Sequence, residues 1–220
     1  MDTIPRDTDR LAEFVRHDAC GVCGSSDAKA VYSTGSAYCF SCQTYFPSDD
    51  EPPKMTEHIS IQGEARALKK RGLSIKTCQK YRIYRDGDYL RHYYYSATGA
   101  LLGCKVKTSD KQFWYEGESD GSFYGQHLFP TTGKRIVITE GELDAASCYE
   151  CMPGWPMVSL PSGAAAAKKA VKANIELLQG YEDIVLFFDN DEPGRKAAEE
   201  CAGVLPPGKV RIALLDAYKD

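Results

Sequence analysis

From residue 134 onward, short apolar runs alternate with amphipathic stretches, and two of those runs end in carboxylates. Lys134-Arg135-Ile136-Val137-Ile138-Thr139 leads into Glu140-Gly141-Glu142-Leu143-Asp144, and Ile184-Val185-Leu186-Phe187-Phe188 leads into Asp189-Asn190-Asp191-Glu192-Pro193-Gly194. The pattern predicts strands over 134–139, 156–160, 183–188 and 209–215, with helices over 142–152, 164–178 and 193–204. Strands alternating with helices imply right-handed βαβ crossovers and a mainly parallel sheet. In such a sheet, ligands bind where the strands end and the loops leave. Two acidic ends placed side by side repel each other unless a cation sits between them, and oxygen-only ligands suit Mg²⁺ or Mn²⁺. That is the outline of a metal-dependent phosphoryl-transfer site.

Within this outline, Gly141 allows a close turn after Glu140, and Asp144 lies about one helical turn further on. Asp189 and Asp191 are two apart in an extended segment and so point the same way. An Asp-x-Asp at a strand end also occurs in phosphatases, glycosyltransferases and surface turns. A phosphatase nucleophile, however, normally ends the first strand of its domain, and this one follows the third. The turn Leu160-Pro161-Ser162-Gly163-Ala164 opens a helix start that could hold a phosphate, but it reads more simply as a βα connection.

The N-terminal part carries Cys20-Gly21-Val22-Cys23 and Cys39-Phe40-Ser41-Cys42, a C-x2-C-x15-C-x2-C pattern. Two tight turns then present four thiolates to one tetrahedral ion, the spacing of a zinc ribbon. Such a shell has no open position, so Zn²⁺ here is expected to scaffold. Residues 30–33 and 37–40 read as a hairpin around Thr34-Gly35-Ser36. Cys78, Cys104, Cys148, Cys151 and Cys201 read as small buried hydrophobes.

Four segments follow: a four-cysteine zinc domain over 1–46, a proline- and acid-rich flexible linker over 47–56, a basic α+β part over 57–133, and the acidic α/β domain over 134–220. Charge divides along the same lines. Residues 1–63 hold 5 basic and 10 acidic side chains (net −5), residues 64–115 hold 12 and 4 (net +8), and residues 116–220 hold 10 and 17 (net −7). In the basic part, 64–80 looks helical and Tyr89–Tyr95 pairs with Leu101–Lys107 across Ser96-Ala97-Thr98-Gly99. Lys105, Lys107 and Lys111 stand beside Phe113-Trp114-Tyr115. Cations for phosphates and flat rings for bases are what single-strand binding needs. The alternative is a solvated surface over strands rich in tyrosine for packing reasons alone.

No run reaches the roughly 18–20 apolar residues of a membrane span, and no membrane partner is expected. Nine cysteines without a secretory leader point to reduced thiols and metal ligation.

The Glu140-to-Asp144 and Asp189-to-Arg195 motifs together resemble the toprim signature of bacterial-type primases, topoisomerases and some nucleases. The order of ribbon, basic middle and toprim domain resembles the primase half of short-tailed-phage primase–helicases, over essentially the whole chain. The resemblance implies a template-directed RNA polymerase that makes short primers on single-stranded DNA from ribonucleoside triphosphates. It implies Mg²⁺ ligation by Glu140, Asp189, Asp191 and Asp220, support from Asp144, and Glu140 as base toward the primer 3′-hydroxyl. It also implies nucleotide or template contacts from Lys105, Lys107 and Lys111. Implied partners are a replicative helicase, fused or separate, and a DNA polymerase, in the cytoplasm of a bacterial host if the chain is phage-encoded. Where such relatives carry an acidic residue and a histidine in the template-reading loop, this chain has Thr34 and Ser36, so its recognition sequence is expected to differ. Relatives continue past the position of Asp220, so the chain is expected to be an excerpt of a longer protein.

A toprim nuclease or topoisomerase is the rival reading. Strand passage needs a nucleophilic tyrosine on a further domain, and a nuclease needs metal but no nucleoside triphosphates. A non-catalytic single-strand-binding module would have no use for the carboxylates.

Overall fold

The computed structural model describes residues 13–42, 44–46, 59–110 and 112–214. The chain divides into two compact units, Met1–Thr56 and Glu57–Asp220.

The first unit is a four-stranded antiparallel sheet of β1 (Phe14–Asp18), β2 (Lys29–Tyr32), β3 (Ala37–Cys39) and β4 (Tyr45–Phe46), ordered as in the chain. The β2–β3 hairpin turns through Gly35, whose φ of 85° is open to glycine at no steric cost.

In the second unit, β5 (Ile83–Asp86), β6 (Tyr89–Tyr95), β7 (Leu101–Lys107) and β8 (Phe113–Gly117) form an antiparallel meander. Gly99, at φ 85°, closes the β6–β7 turn. Residues 64–80 are not one helix. Glu64 bridges Arg85 and Leu68 bridges Leu73, a short 3₁₀ turn occupies Lys69–Arg71, and only Ile75–Lys80 is α-helical (α1). Left-handed Gly72 ends the 3₁₀ turn, and the Ser74 hydroxyl then accepts the Thr77 amide to start α1.

The parallel sheet runs β10 (Met157–Ser159), β9 (Gly133–Thr139), β11 (Tyr181–Phe187), β12 (Val210–Ile212). Every pairing in it is parallel. Ile136 to Thr139 are buried without alternation, as a central strand covered on both faces requires. The helices are α2 (Glu142–Cys151), α3 (Ala167–Ala173), α4 (Ile175–Gln179) and α5 (Glu192–Ala202). The helix expected over 164–178 begins as a 3₁₀ turn and breaks at Asn174, whose amide donates to the carbonyls of Ala170 and Gly121. Packing ties the two sheets of this unit together. Tyr81, Tyr94, Tyr124, Val137, Ala145 and Met157 share one core, and the Tyr81 hydroxyl donates to the Met157 carbonyl at 2.8 Å.

Cys78, Cys104 and Cys201 are buried, but Cys148 is half-buried and Cys151 is exposed. The latter two lie at the C-terminal end of α2, where the helix runs out of the core. No described helix is long and apolar enough to cross a membrane.

Candidate active site

β9 and β11 are direct neighbours, with Thr139 opposite Phe187. Glu140 and the segment carrying Asp189 therefore leave the sheet side by side, and Asp144 follows in the first turn of α2. All three line one cleft of about 1070 Å³, together with Lys105 and Lys107 of β7 and Arg71. A Cβ at Gly141 would meet Asp144 Oδ2 at 2.5 Å, so the absent side chain lets that carboxylate fold back against the backbone at Gly141.

The Ala164 amide donates to Glu140 Oε1 at 3.3 Å, whereas Oε2 is buried without a hydrogen-bond partner among the described residues. Burial, and then the charge of Asp189, raise the Glu140 carboxyl above the usual carboxylate range. The same two causes, in the same order, raise Asp144. Arg71, 3.6 Å from Asp144, relieves part of this repulsion. An orphaned carboxylate oxygen among mutually repelling carboxylates fits a hard divalent cation. Asp191 holds a different position. It is the N-cap of α5, where its side chain accepts the Gly194 amide at 2.8 Å, and its charge still reaches Glu140.

Lys105 and Lys107, on one face of β7, converge on a carboxylate that the site assignment from sequence does not include. Glu142, 1% exposed, takes Lys105 Nζ at 2.6 Å on Oε1 and Lys107 Nζ at 3.0 Å on Oε2. The Tyr94 hydroxyl donates to Oε1 at 2.8 Å. Burial opposes the ionised form of Glu142, but the groups facing it, His92 in its protonated form and then Lys105 and Lys107, outweigh it and hold the carboxyl well below its ordinary range. His92 is itself fully buried, with neither ring nitrogen hydrogen-bonded among the described residues, and burial pushes it down to about 4. It is thus uncharged at neutral pH, which leaves the lysines as the cations facing Glu142. A sequence signal for Glu142 does exist: two lysines on one strand face of a packed sheet need a counter-charge.

Phe113 lies within this cleft, 65% exposed, with Lys105 Nζ 5.3 Å from its ring centre. Lys111 and Asp220 fall outside the described residues.

In the first unit, the sulfurs of Cys20, Cys23, Cys39 and Cys42 lie within 4.8 Å of one another. Two of the separations, Cys20–Cys42 and Cys23–Cys39, are 3.7 Å. A tetrahedron with metal–sulfur bonds of about 2.3 Å has edges of about 3.8 Å, so the four thiols are already spaced for one ion. Thr34 is exposed and Ser36 buried, and their hydroxyls pair at 2.8 Å in the hairpin turn.

A four-thiol β-module thus precedes a parallel sheet with clustered carboxylates at its strand ends, and comparison with known proteins places this arrangement in a family. A Toprim-like family model matches residues 137–220. The DNA helicase/primase of Enterobacteria phage T3 is 38% identical over 92% of this chain, which spans 40% of that protein's length. The crystal structure of the primase fragment of the bacteriophage T7 primase-helicase superposes with a TM-score of 0.68 at 38% identity, covering 92% of this chain and 91% of the fragment. The T7 primase domains solved with the lagging-strand DNA polymerase and an RNA/DNA hybrid match at 44% identity and TM-score 0.63, over 68% and 79% of the two chains. The chain belongs to the phage primase–helicase family, in the part that corresponds to the primase.

Proposed function

We propose that the chain is a DNA primase, synthesising short RNA primers on single-stranded DNA from ribonucleoside triphosphates. The observation that carries this is the cleft itself, where Glu140, Asp144 and Asp189 face the same space as Lys105 and Lys107. Carboxylates alone would suit many metal enzymes. Carboxylates beside paired ammonium groups suit a site that takes up a triphosphate.

Glu140, Asp189, Asp191 and Asp220, with Asp144 in support, would hold Mg²⁺ (or Mn²⁺). Such ions, when bound, lower the pKa of an attacking hydroxyl and neutralise charge on the phosphates. The Glu140 carboxylate takes the proton of the primer 3′-hydroxyl. Lys105, Lys107 and Lys111 contact the incoming nucleotide or the template, and the exposed face of Phe113 offers stacking surface to a base.

The four cysteines hold structural Zn²⁺. With no open coordination position the ion scaffolds a module that recognises template, with Thr34 and Ser36 in its turn. Single-stranded DNA, a helicase and a DNA polymerase are the partners, and the T7 primase–polymerase structure supports the last of these. The test is incorporation of labelled ribonucleotides on single-stranded DNA: synthesis of oligoribonucleotides is expected, and DNA degradation without synthesis contradicts it.

A further inference from the structure

Lys105 and Lys107 reach the cleft on long, flexible stems, and a fixed point holds both. Glu142 sits at the first position of α2, at the foot of the parallel sheet's carboxyl end. The two lysines and Tyr94 come from strands β7 and β6 of the antiparallel sheet. One buried carboxylate therefore gathers groups from both layers. Each of its oxygens takes a different lysine, a geometry that separates the two ammonium groups and fixes both. Lys105 is further held by the Pro161 carbonyl at 3.5 Å and stands over Phe113.

We infer that Glu142 is a positioning residue that presents the Lys105 and Lys107 ammonium groups to the phosphates of the incoming nucleotide. This rests on the proposed nucleotide-binding role of the cleft. Charge and position make opposite demands here. By charge alone, a carboxylate beside the lysines opposes a triphosphate, so removing it strengthens binding. By position, it fixes two flexible cations before the ligand arrives, and removing it weakens binding. The Tyr94 hydroxyl acts through the same carboxylate, without a charge of its own.

The test is equilibrium binding of ATP with Mg²⁺ to the chain, followed by ribonucleotide incorporation on single-stranded DNA. Glu142→Gln is expected to weaken ATP binding by about tenfold although it adds a net positive charge, and Tyr94→Phe by about threefold, the scale of lost preorganising hydrogen bonds. In the incorporation assay the KM for ribonucleotide rises while kcat stays within about twofold of the parent. Unchanged or tighter ATP binding in Glu142→Gln overturns the inference. If that variant does not fold, Tyr94→Phe decides, and a folded Tyr94→Phe with parental ATP affinity overturns it equally. A parent chain that binds ATP but makes no RNA contradicts the primase proposal and leaves the positioning inference to be judged on the binding data. A parent that binds no ATP overturns both.

Discussion

Glu140 and Asp189 emerge from two hydrogen-bonded parallel strands, and the charge of Asp189 adds to burial in raising the Glu140 carboxyl. A folded-state pKa above the unfolded value means that ionisation favours the unfolded chain. The stability contribution is therefore fully present below the ordinary carboxylate range and is lost as pH rises through the raised value. Without divalent ions, the parent is expected to lose stability relative to Glu140→Gln as pH climbs through the window just above the ordinary carboxylate range. Thermal melts of both across that window check this, and Mg²⁺ should close the gap.

Neutralising either carboxylate removes a proposed metal ligand without opening a cavity. Glu140→Gln and Asp189→Asn are expected to lower oligoribonucleotide synthesis by about 10³-fold or more while leaving the circular-dichroism spectrum and melting temperature at or above the parent's. Full activity in either variant contradicts the site.

Asp191 separates a structural role from a chemical one. Asp191→Ala loses the cap on α5 and should cost about 1 kcal/mol in denaturant unfolding, whereas Asp191→Asn keeps a good cap. If Asp191 also supports metal, the Asn variant stays as stable as the parent but needs a higher Mg²⁺ concentration for half-maximal synthesis.

Much of this was readable from residue types. The hairpin Tyr89–Tyr95 with Leu101–Lys107 falls where β-rich runs flank a Thr-Gly turn, and the acidic strand ends follow from apolar runs meeting carboxylates. Local pattern failed where tertiary contacts decided. Residues 64–71 have helical composition, but Glu64 and Leu68 are taken up by bridges to Arg85 and Leu73. Glu142 belongs to the same motif as Glu140 and Asp144, and nothing in that motif says which of the three is buried. Burial came from the facing sheet, which no local window contains. Asp191, which strand periodicity pairs with Asp189, is still in extended backbone one residue before α5, and its side chain also serves as that helix's cap.

The four thiols make the clearest claim in the first unit. Structural zinc binding is worth about 10–16 kcal/mol in small modules, so Cys39→Ser should release the ion and unfold the sheet of β1 to β4 while the second unit stays folded. Zinc content by elemental analysis, expected at about one ion per parent chain by the closed four-ligand rule, together with hydrogen exchange, checks this. Template-directed initiation should disappear with the metal.

Close packing around the cleft aromatics gives a further handle. A Cβ at Gly103 would meet the ring of Tyr115, within 2.6 Å of Cζ, and that ring packs against Tyr94. Gly103→Ala is expected to destabilise the chain by about 1–3 kcal/mol, the range for overpacking, as read from chemical denaturation.

The most direct test of the account combines the chain with Mg²⁺, all four ribonucleotides and a randomised pool of single-stranded DNA, and sequences every product. Short RNA products are expected that begin opposite one recurrent template motif and vanish in Glu140→Gln. Shortened DNA with no RNA made, at the same metal concentration, would contradict it and point to a toprim nuclease.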